Sequence, residues 1–134
     1  MDFGATYSGF SYCYVRSDQK IITNDHWPGV FGPLKTNTVL QYDENYEEVI
    51  SWGLSALSQR SRRRNKYNNK TKPVELFKLH LGNLSAELKP ELPLDYRKAI
   101  TDYLQEIGKV YDKFKIIHIV SSVNFFINYL LELN

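Results

Sequence analysis

The sequence of 134 residues predicts a mixed α/β fold in which β-hairpins come first and helices follow. In residues 6–15, Phe10, Tyr12 and Tyr14 alternate with smaller residues, which is the two-residue period of a half-buried strand. Between residues 95 and 114, apolar residues recur every three or four positions, which is the period of an amphipathic helix. These two patterns place strands in the first half of the chain and a long helix in the second.

Composition excludes several classes of protein. Hydrophobic residues make up 43% of the chain and aromatic residues 14%, so there is enough apolar surface to build a core, and a disordered chain is excluded. The single cysteine, Cys13, excludes an internal disulfide and a cysteine-based zinc cluster. The first residues carry neither a basic stretch nor an apolar run of the kind found in signal peptides. We therefore expect a cytoplasmic protein.

Three further elements complete the β-rich half and the connection to the long helix. Residues 24–38 contain repeated proline, glycine and polar positions and are predicted to form a loop. Two β-prone runs, 38–42 and 48–52, are predicted to pair as a hairpin. The run 74–81 lies between a proline and a glycine, which predicts a short helix.

The basic residues are concentrated in one loop, 60–72, between the hairpins and the later helices. Seven basic side chains and no acidic one lie there, which leaves ten basic against fifteen acidic residues in the rest of the chain. Such a loop is usually a solvated connector. The alternative is a non-catalytic interaction module that binds an acidic partner or RNA through the loop, with Tyr67 stacking on a base.

The tail, residues 116–134, is atypical because it is almost entirely apolar. It is just short of the roughly 20 residues that a membrane span needs, and His118 and Asn124 interrupt it. We predict a buried strand over 116–123 followed by a short apolar helix, and we expect no membrane association. A membrane segment is the less favoured alternative.

The opening residues have the chemistry of a phosphate cradle. Gly4 has no Cβ and so lets the backbone approach a ligand closely, and successive N–H groups of a bend at Asp2-Phe3-Gly4 can surround an anion. A carboxylate such as Asp2 suits Mg²⁺ or its waters. An ordinary hairpin turn gives the same local pattern, so the residues alone leave both interpretations open.

The stretch Asp2-Phe3-Gly4-Ala5-Thr6-Tyr7-Ser8-Gly9-Phe10 resembles the first phosphate-binding motif of the actin-like ATPases. It is most similar to the heat shock protein 70 family and its divergent relatives, whose motif reads D-[FL]-G-T-T-x-S. Weaker similarities follow in the same order along the chain: Gly53 with Ala56, the 74–82 segment ending in Gly82, the 95–114 helix and residues 117–126. Only the first motif is specific.

The resemblance implies a partial actin-like ATPase lobe of the ribonuclease H-like type over residues 1–134, with ATP and Mg²⁺ as cofactors. It implies that Asp2 holds Mg²⁺ through water and that Lys78 is the catalytic residue, which reaches the γ-phosphate and orients the attacking water. The alternative for Lys78 is a solvent-facing helix position. The backbone amides implied to face the phosphates are those of Gly4, Ala5, Thr6 and Tyr7.

The chain also departs from the family pattern. Ala5 stands where the family usually has threonine, and the absence of any Gly-Gly pair leaves no counterpart of the second phosphate loop or the adenosine segment. We therefore expect an incomplete domain, without its leading strand and second lobe, that binds an adenine nucleotide but does not hydrolyse ATP by itself. The expected partners are protein clients or co-chaperones, and nucleic acid is not expected.

Overall fold

The computed structural model describes residues 1–13, 20–62 and 71–113, which form a mixed α/β fold of small antiparallel sheets and two α-helices. The strands described in these ranges are β1 (Asp2–Phe3), β2 (Tyr7–Gly9), β3 (Ser11–Tyr12), β4 (Ile22–Thr23), β5 (His26–Trp27), β6 (Val30–Phe31), β7 (Thr36–Asn37), β8 (Val39–Tyr42), β9 (Val49–Trp52) and β10 (Val74–Glu75). The helices are α1 (Leu54–Arg62) and α2 (Tyr96–Lys113), with 3₁₀ helices at Phe77–Leu81 and Ala86–Leu88 between them. The predicted α/β class is confirmed at this level.

Within the described residues, the strands form four small sheets. Two have three strands, in the orders β1-β2-β7 and β10-β8-β9, and two are the pairs β3-β4 and β5-β6. The predicted hairpin over 38–42 and 48–52 is confirmed as β8 and β9, which pair antiparallel with Leu40 opposite Trp52. Its turn is stabilised by Asp43, whose Oδ1 accepts hydrogen bonds from the amides of Glu47 at 2.8 Å and Glu48 at 3.0 Å.

Helix α2 provides one wall of the hydrophobic core and confirms the long helix predicted over 95–114. Asp95 precedes its first turn, and the Asp95 carboxylate accepts a hydrogen bond from the Arg97 amide at 2.6 Å, as an N-terminal cap does. Five residues of the predicted apolar stripe are buried in one cluster with strand residues such as Leu40 and Trp52. They are Ile100, Tyr103, Leu104, Ile107 and Val110.

Two predictions in the first third of the chain are wrong in detail. The single strand predicted over 6–15 is interrupted at Phe10, which is buried and whose carbonyl accepts a hydrogen bond from Asn24. The loop predicted over 24–38 contains strands β5, β6 and β7. The cause is tertiary packing: Trp27 contacts the rings of Phe10 and Trp52, and its Nε1 donates to the Pro33 carbonyl at 2.8 Å. This packing organises a segment whose glycines and prolines indicated only turns.

The short helix predicted over 74–81 is also wrong in part. Val74 and Glu75 pair with β8 as a strand, and only Phe77–Leu81 is helical, in a 3₁₀ turn. Leu76 lies between the two with a φ of 60°, a left-handed backbone that ends the strand and precludes a continuous helix.

Helix α1 was not predicted, and its last residues, 60–62, lie in the range that the sequence analysis assigned to the basic loop 60–72. It follows Gly53, whose φ is 62° and where a Cβ would lie 2.4 Å from Thr36 Oγ1. The same Thr36 Oγ1 accepts a hydrogen bond from the Leu54 amide at 3.2 Å. The basic residues 63–70 and the tail 116–134 lie outside the described residues, so the interaction loop and the buried-strand prediction stay predictions.

Candidate phosphate-binding site

The turn between β1 and β2 is the feature that the phosphate prediction concerns. Strands β1 and β2 pair antiparallel with Asp2 opposite Gly9, and the Gly4 amide donates to the Tyr7 carbonyl at 3.1 Å. A Cβ on Gly4 would lie 2.3 Å from that carbonyl oxygen, so the turn requires glycine at this position. The bend therefore spans residues 4–7, whereas the sequence placed it at 2–4. Asp2 and Phe3 instead form strand β1 of the hairpin.

The β1-β2 hairpin is extended on its other side by β7. Tyr7 lies opposite Asn37 and Ser8 opposite Thr36, so β2 is the central strand of the sheet. Strand β2 therefore has a partner on each side, β1 and β7. The tip of the turn stays at the surface, where Thr6 is exposed and the Tyr7 side chain is 53% exposed.

Lys78 lies directly beside this hairpin, although 75 residues separate it from Phe3 in the sequence. Its Nζ donates to the Phe3 carbonyl and stands 5.1 Å from the centroid of the Phe3 ring. The 3₁₀ turn that carries Lys78 is anchored by Phe77, which is fully buried against the Tyr103 ring. Lys78 is half-buried in this arrangement, which differs from the alternative of a solvent-facing helix position.

Asp2 is paired with a lysine that the sequence did not single out. Its Oδ2 lies 2.6 Å from Lys35 Nζ, and the side chains of Asp2 and Lys35 are 60% and 52% exposed. The hydrogen bond and charge of Lys35, with a smaller contribution from Lys78, lower the pKa of the Asp2 carboxyl below its usual range. Asp2 is therefore ionised at neutral pH, as a Mg²⁺ ligand must be, and a cation at Asp2 would compete with Lys35.

The turn itself offers a metal ion one carboxylate, that of Asp2. In the described ranges, no three His, Cys, Asp or Glu residues cluster in a way that holds a metal ion. Mg²⁺ keeps several waters and is usually held by one or two carboxylates plus phosphate oxygens. The turn fits this arrangement, with Asp2 as the carboxylate and the phosphates of a nucleotide as the source of the other oxygens.

The four amides implied to bind phosphate are not equivalent. The Gly4 N–H is already used inside the hairpin, so a phosphate oxygen would compete with the Tyr7 carbonyl for it. Ala5 and Thr6 form the tip between the two hydrogen-bonded ends of the turn. Ala5 brings a methyl group to this tip and no hydroxyl.

Three surface cavities of 570, 540 and 460 Å³ lie at other places on the molecule. The largest is bordered by Tyr46 and Pro93, and the smallest by Trp27 and Trp52. None of the predicted site residues lines these three cavities. The candidate site is a surface turn flanked by the charged side chains of Lys35 and Lys78.

No protein-family model, no curated protein and no solved structure matches this chain in comparisons with known proteins. Along the described residues, no helix combines the length and the apolar character needed to cross a membrane. The fold and the site together define a mixed α/β protein with small antiparallel sheets and a lysine-flanked turn at one sheet edge.

Proposed function

We propose that the turn between β1 and β2 binds Mg-ATP, as the first phosphate-binding element of an actin-like ATPase lobe of the kind found in the heat shock protein 70 family. The observation that carries this proposal is the position of Lys78 against Phe3, next to Asp2 in sequence. The motif resemblance had implied that these residues act together, and nothing in their local sequence would bring them into contact.

The charges around the turn favour a triphosphate. Lys35 and Lys78 both act on Asp2 electrostatically, so two cations and one carboxylate surround the hairpin. A phosphate oxygen is a stronger acceptor for an ammonium group than a neutral carbonyl is. Lys78 would therefore exchange the Phe3 carbonyl for a phosphate oxygen at little cost, while its stem stays over the Phe3 ring.

We propose binding without independent hydrolysis. Ala5 supplies no hydroxyl near the γ-phosphate, and hydrolysis in a nucleotide cleft needs groups on two walls. In this proposal the protein acts in the cytoplasm, where the nucleotide switches its contacts with protein clients or co-chaperones.

The experiment compares two lysines that each contact a backbone carbonyl and an aromatic ring. Lys98, like Lys78, donates to a backbone carbonyl and stands over an aromatic ring, at 5.2 Å from the Tyr42 centroid. Isothermal titration with Mg-ATP should give a Kd that Lys78→Met raises at least about tenfold, since a charged hydrogen bond is worth about 1.5–3 kcal/mol. Lys98→Met removes the same charge away from the turn and should bind like the wild type.

Two results would contradict the proposal. One is the absence of any heat with the wild-type protein at millimolar Mg-ATP. The other is an equal loss of affinity in the two lysine variants, because the effect would then reflect net charge and not the turn.

A further inference from the structure

Thr38 is a buried residue that donates hydrogen bonds to two carbonyls of the β1-β2 turn. It is 2% exposed and directly follows β7. Its N–H donates to the Thr6 carbonyl at 2.9 Å, and its Oγ1 donates to the Gly4 carbonyl at 2.8 Å. A single buried residue therefore holds the carbonyls on either side of Ala5.

A second hydroxyl supports the first. Ser8 Oγ lies 2.7 Å from Thr38 Oγ1, and Ser8 is fully buried. Because the Thr38 hydroxyl proton is directed to Gly4, Ser8 is the donor in this contact. The chain Ser8 to Thr38 to Gly4 is thus a continuous set of buried hydrogen bonds, and each bond strengthens the next.

These bonds determine where the amides of the turn point. The C=O of Gly4 belongs to the same peptide plane as the Ala5 N–H, and the C=O of Thr6 to the same plane as the Tyr7 N–H. No peptide bond in the described residues is cis, and in a trans peptide the C=O and N–H point in opposite directions. Both amides are therefore turned away from Thr38, which holds the two carbonyls.

We propose that Thr38 is a positioning residue for Mg-ATP, which orients the Ala5 and Tyr7 amides towards the phosphates. This role rests on the proposed function and adds to it a residue outside the motif. It belongs to the hydroxyl of Thr38, since the Thr38 N–H bond to Thr6 is made by any residue with an amide at this position.

The test uses variants that change only hydroxyl groups. Thr38→Val keeps the shape and the backbone bond but removes the bond to Gly4 and the acceptor for Ser8. Its Kd for Mg-ATP should rise about tenfold, the upper range expected for one buried neutral hydrogen bond. Thr38→Ser restores the hydroxyl and should restore the wild-type Kd, which a merely structural role of the methyl group would not do.

Thr71 provides the matched control. Its Oγ1 also donates to a backbone carbonyl, that of Tyr42 at 2.9 Å, and accepts from Gln41 Nε2 at 2.7 Å. Thr71→Val loses a similar pair of bonds outside the turn and should bind Mg-ATP like the wild type. Urea unfolding of each variant separates a loss of stability from a loss of affinity.

The outcomes distinguish this inference from the proposed function. A wild-type Kd for Thr38→Val, or an equal rise for Thr71→Val, overturns the role of Thr38 and leaves nucleotide binding intact. No binding by the wild type overturns the proposed function and the role of Thr38 with it. If Thr38→Val does not fold, Thr38→Ala removes the same hydroxyl with a smaller side chain, and an unchanged Kd in that variant overturns the inference.

Discussion

Two groups of side chains in this protein each contain a lysine, an aspartate and an aromatic ring, but the two groups differ in burial. At the turn, Lys78 covers Phe3, and Asp2 pairs with Lys35 in an exposed position. In the second group, Lys98 covers the Tyr42 ring. Asp102 accepts hydrogen bonds from Lys98 Nζ at 2.6 Å and from the Tyr42 hydroxyl at 2.7 Å.

The difference between the two groups lies in burial and in what the carboxylate does. The Asp102 side chain is 17% exposed and joins α2 to β8 through a hydrogen-bonded network. The Asp2 side chain is 60% exposed and is held by a single salt bridge to another exposed side chain. Removing one partner from a buried charged network is strongly destabilising, whereas an exposed pair contributes little to stability. The Asp102 network therefore stabilises the fold, whereas the exposed Asp2 carboxylate is accessible to a ligand.

The largest expected effect follows from removing each carboxylate in turn. Asp102→Ala leaves the buried Tyr42 hydroxyl without its acceptor and Lys98 without its carboxylate partner, so the free energy of unfolding should fall by about 2–4 kcal/mol. Asp2→Ala should leave stability unchanged, because its pair is exposed. Urea unfolding followed by circular dichroism measures both, and equal losses would contradict the comparison.

Alkaline pH should lower the free energy of unfolding, because two buried tyrosines would ionise. Burial raises the pKa of Tyr103 to about 12, and burial together with the Asp102 hydrogen bond raises the pKa of Tyr42. The unfolded chain loses each tyrosine proton near pH 10, so these contributions are complete below pH 10 and decline as the pH rises towards 12. The slope is at most about 1.4 kcal/mol per pH unit for each group.

Unfolding midpoints in urea at pH 9, 10 and 11 measure this decline. Tyr103→Phe keeps the ring contacts with Phe3, Phe77 and Trp52 and should show a shallower fall above pH 10 than the wild type. The same slope in both proteins would mean that Tyr103 does not titrate as its burial implies.

Two glycines sharpen the contrast between the turn and the helix. Gly108 lies within α2 with nothing within 4 Å of an added Cβ, so Gly108→Ala should raise the free energy of unfolding by about 0.5–1 kcal/mol. Gly4→Ala brings a Cβ to 2.3 Å from the Tyr7 carbonyl and should distort the turn and weaken Mg-ATP binding. A wild-type Kd in the Gly4→Ala variant would show that Mg-ATP binding does not depend on the geometry of the turn.

The parts of the fold that the sequence predicts well are those governed by local patterns. Helix α2 follows from its apolar period and the β8-β9 hairpin from two β-prone runs around a polar turn. Strands β5 to β7 have two residues each. Trp27 in β5 packs against distant rings and β7 pairs with the distant strand β2, and no local pattern records either contact. The left-handed backbone at Leu76 is equally invisible, because leucine rarely adopts it.

The candidate site shows the same division. The chemistry of the opening residues indicates Asp2 and Gly4, whereas Lys78 is indicated, and linked to them, only by the motif resemblance. Lys35 and Thr38 were missed because each acts through contacts more than 30 residues away in sequence. Nothing in the local sequence of Thr38 indicates that its hydroxyl will donate a hydrogen bond to a distant turn.

The location of nucleotide binding is the most direct test of this account. Nitrogen-15 labelled protein titrated with Mg-ATP should show the largest amide shifts at Gly4, Ala5, Thr6 and Tyr7, together with shifts around Lys78. The result that would contradict the account is the absence of shifts at millimolar Mg-ATP, or shifts confined to the Trp27 and Trp52 cavity while the turn stays unchanged.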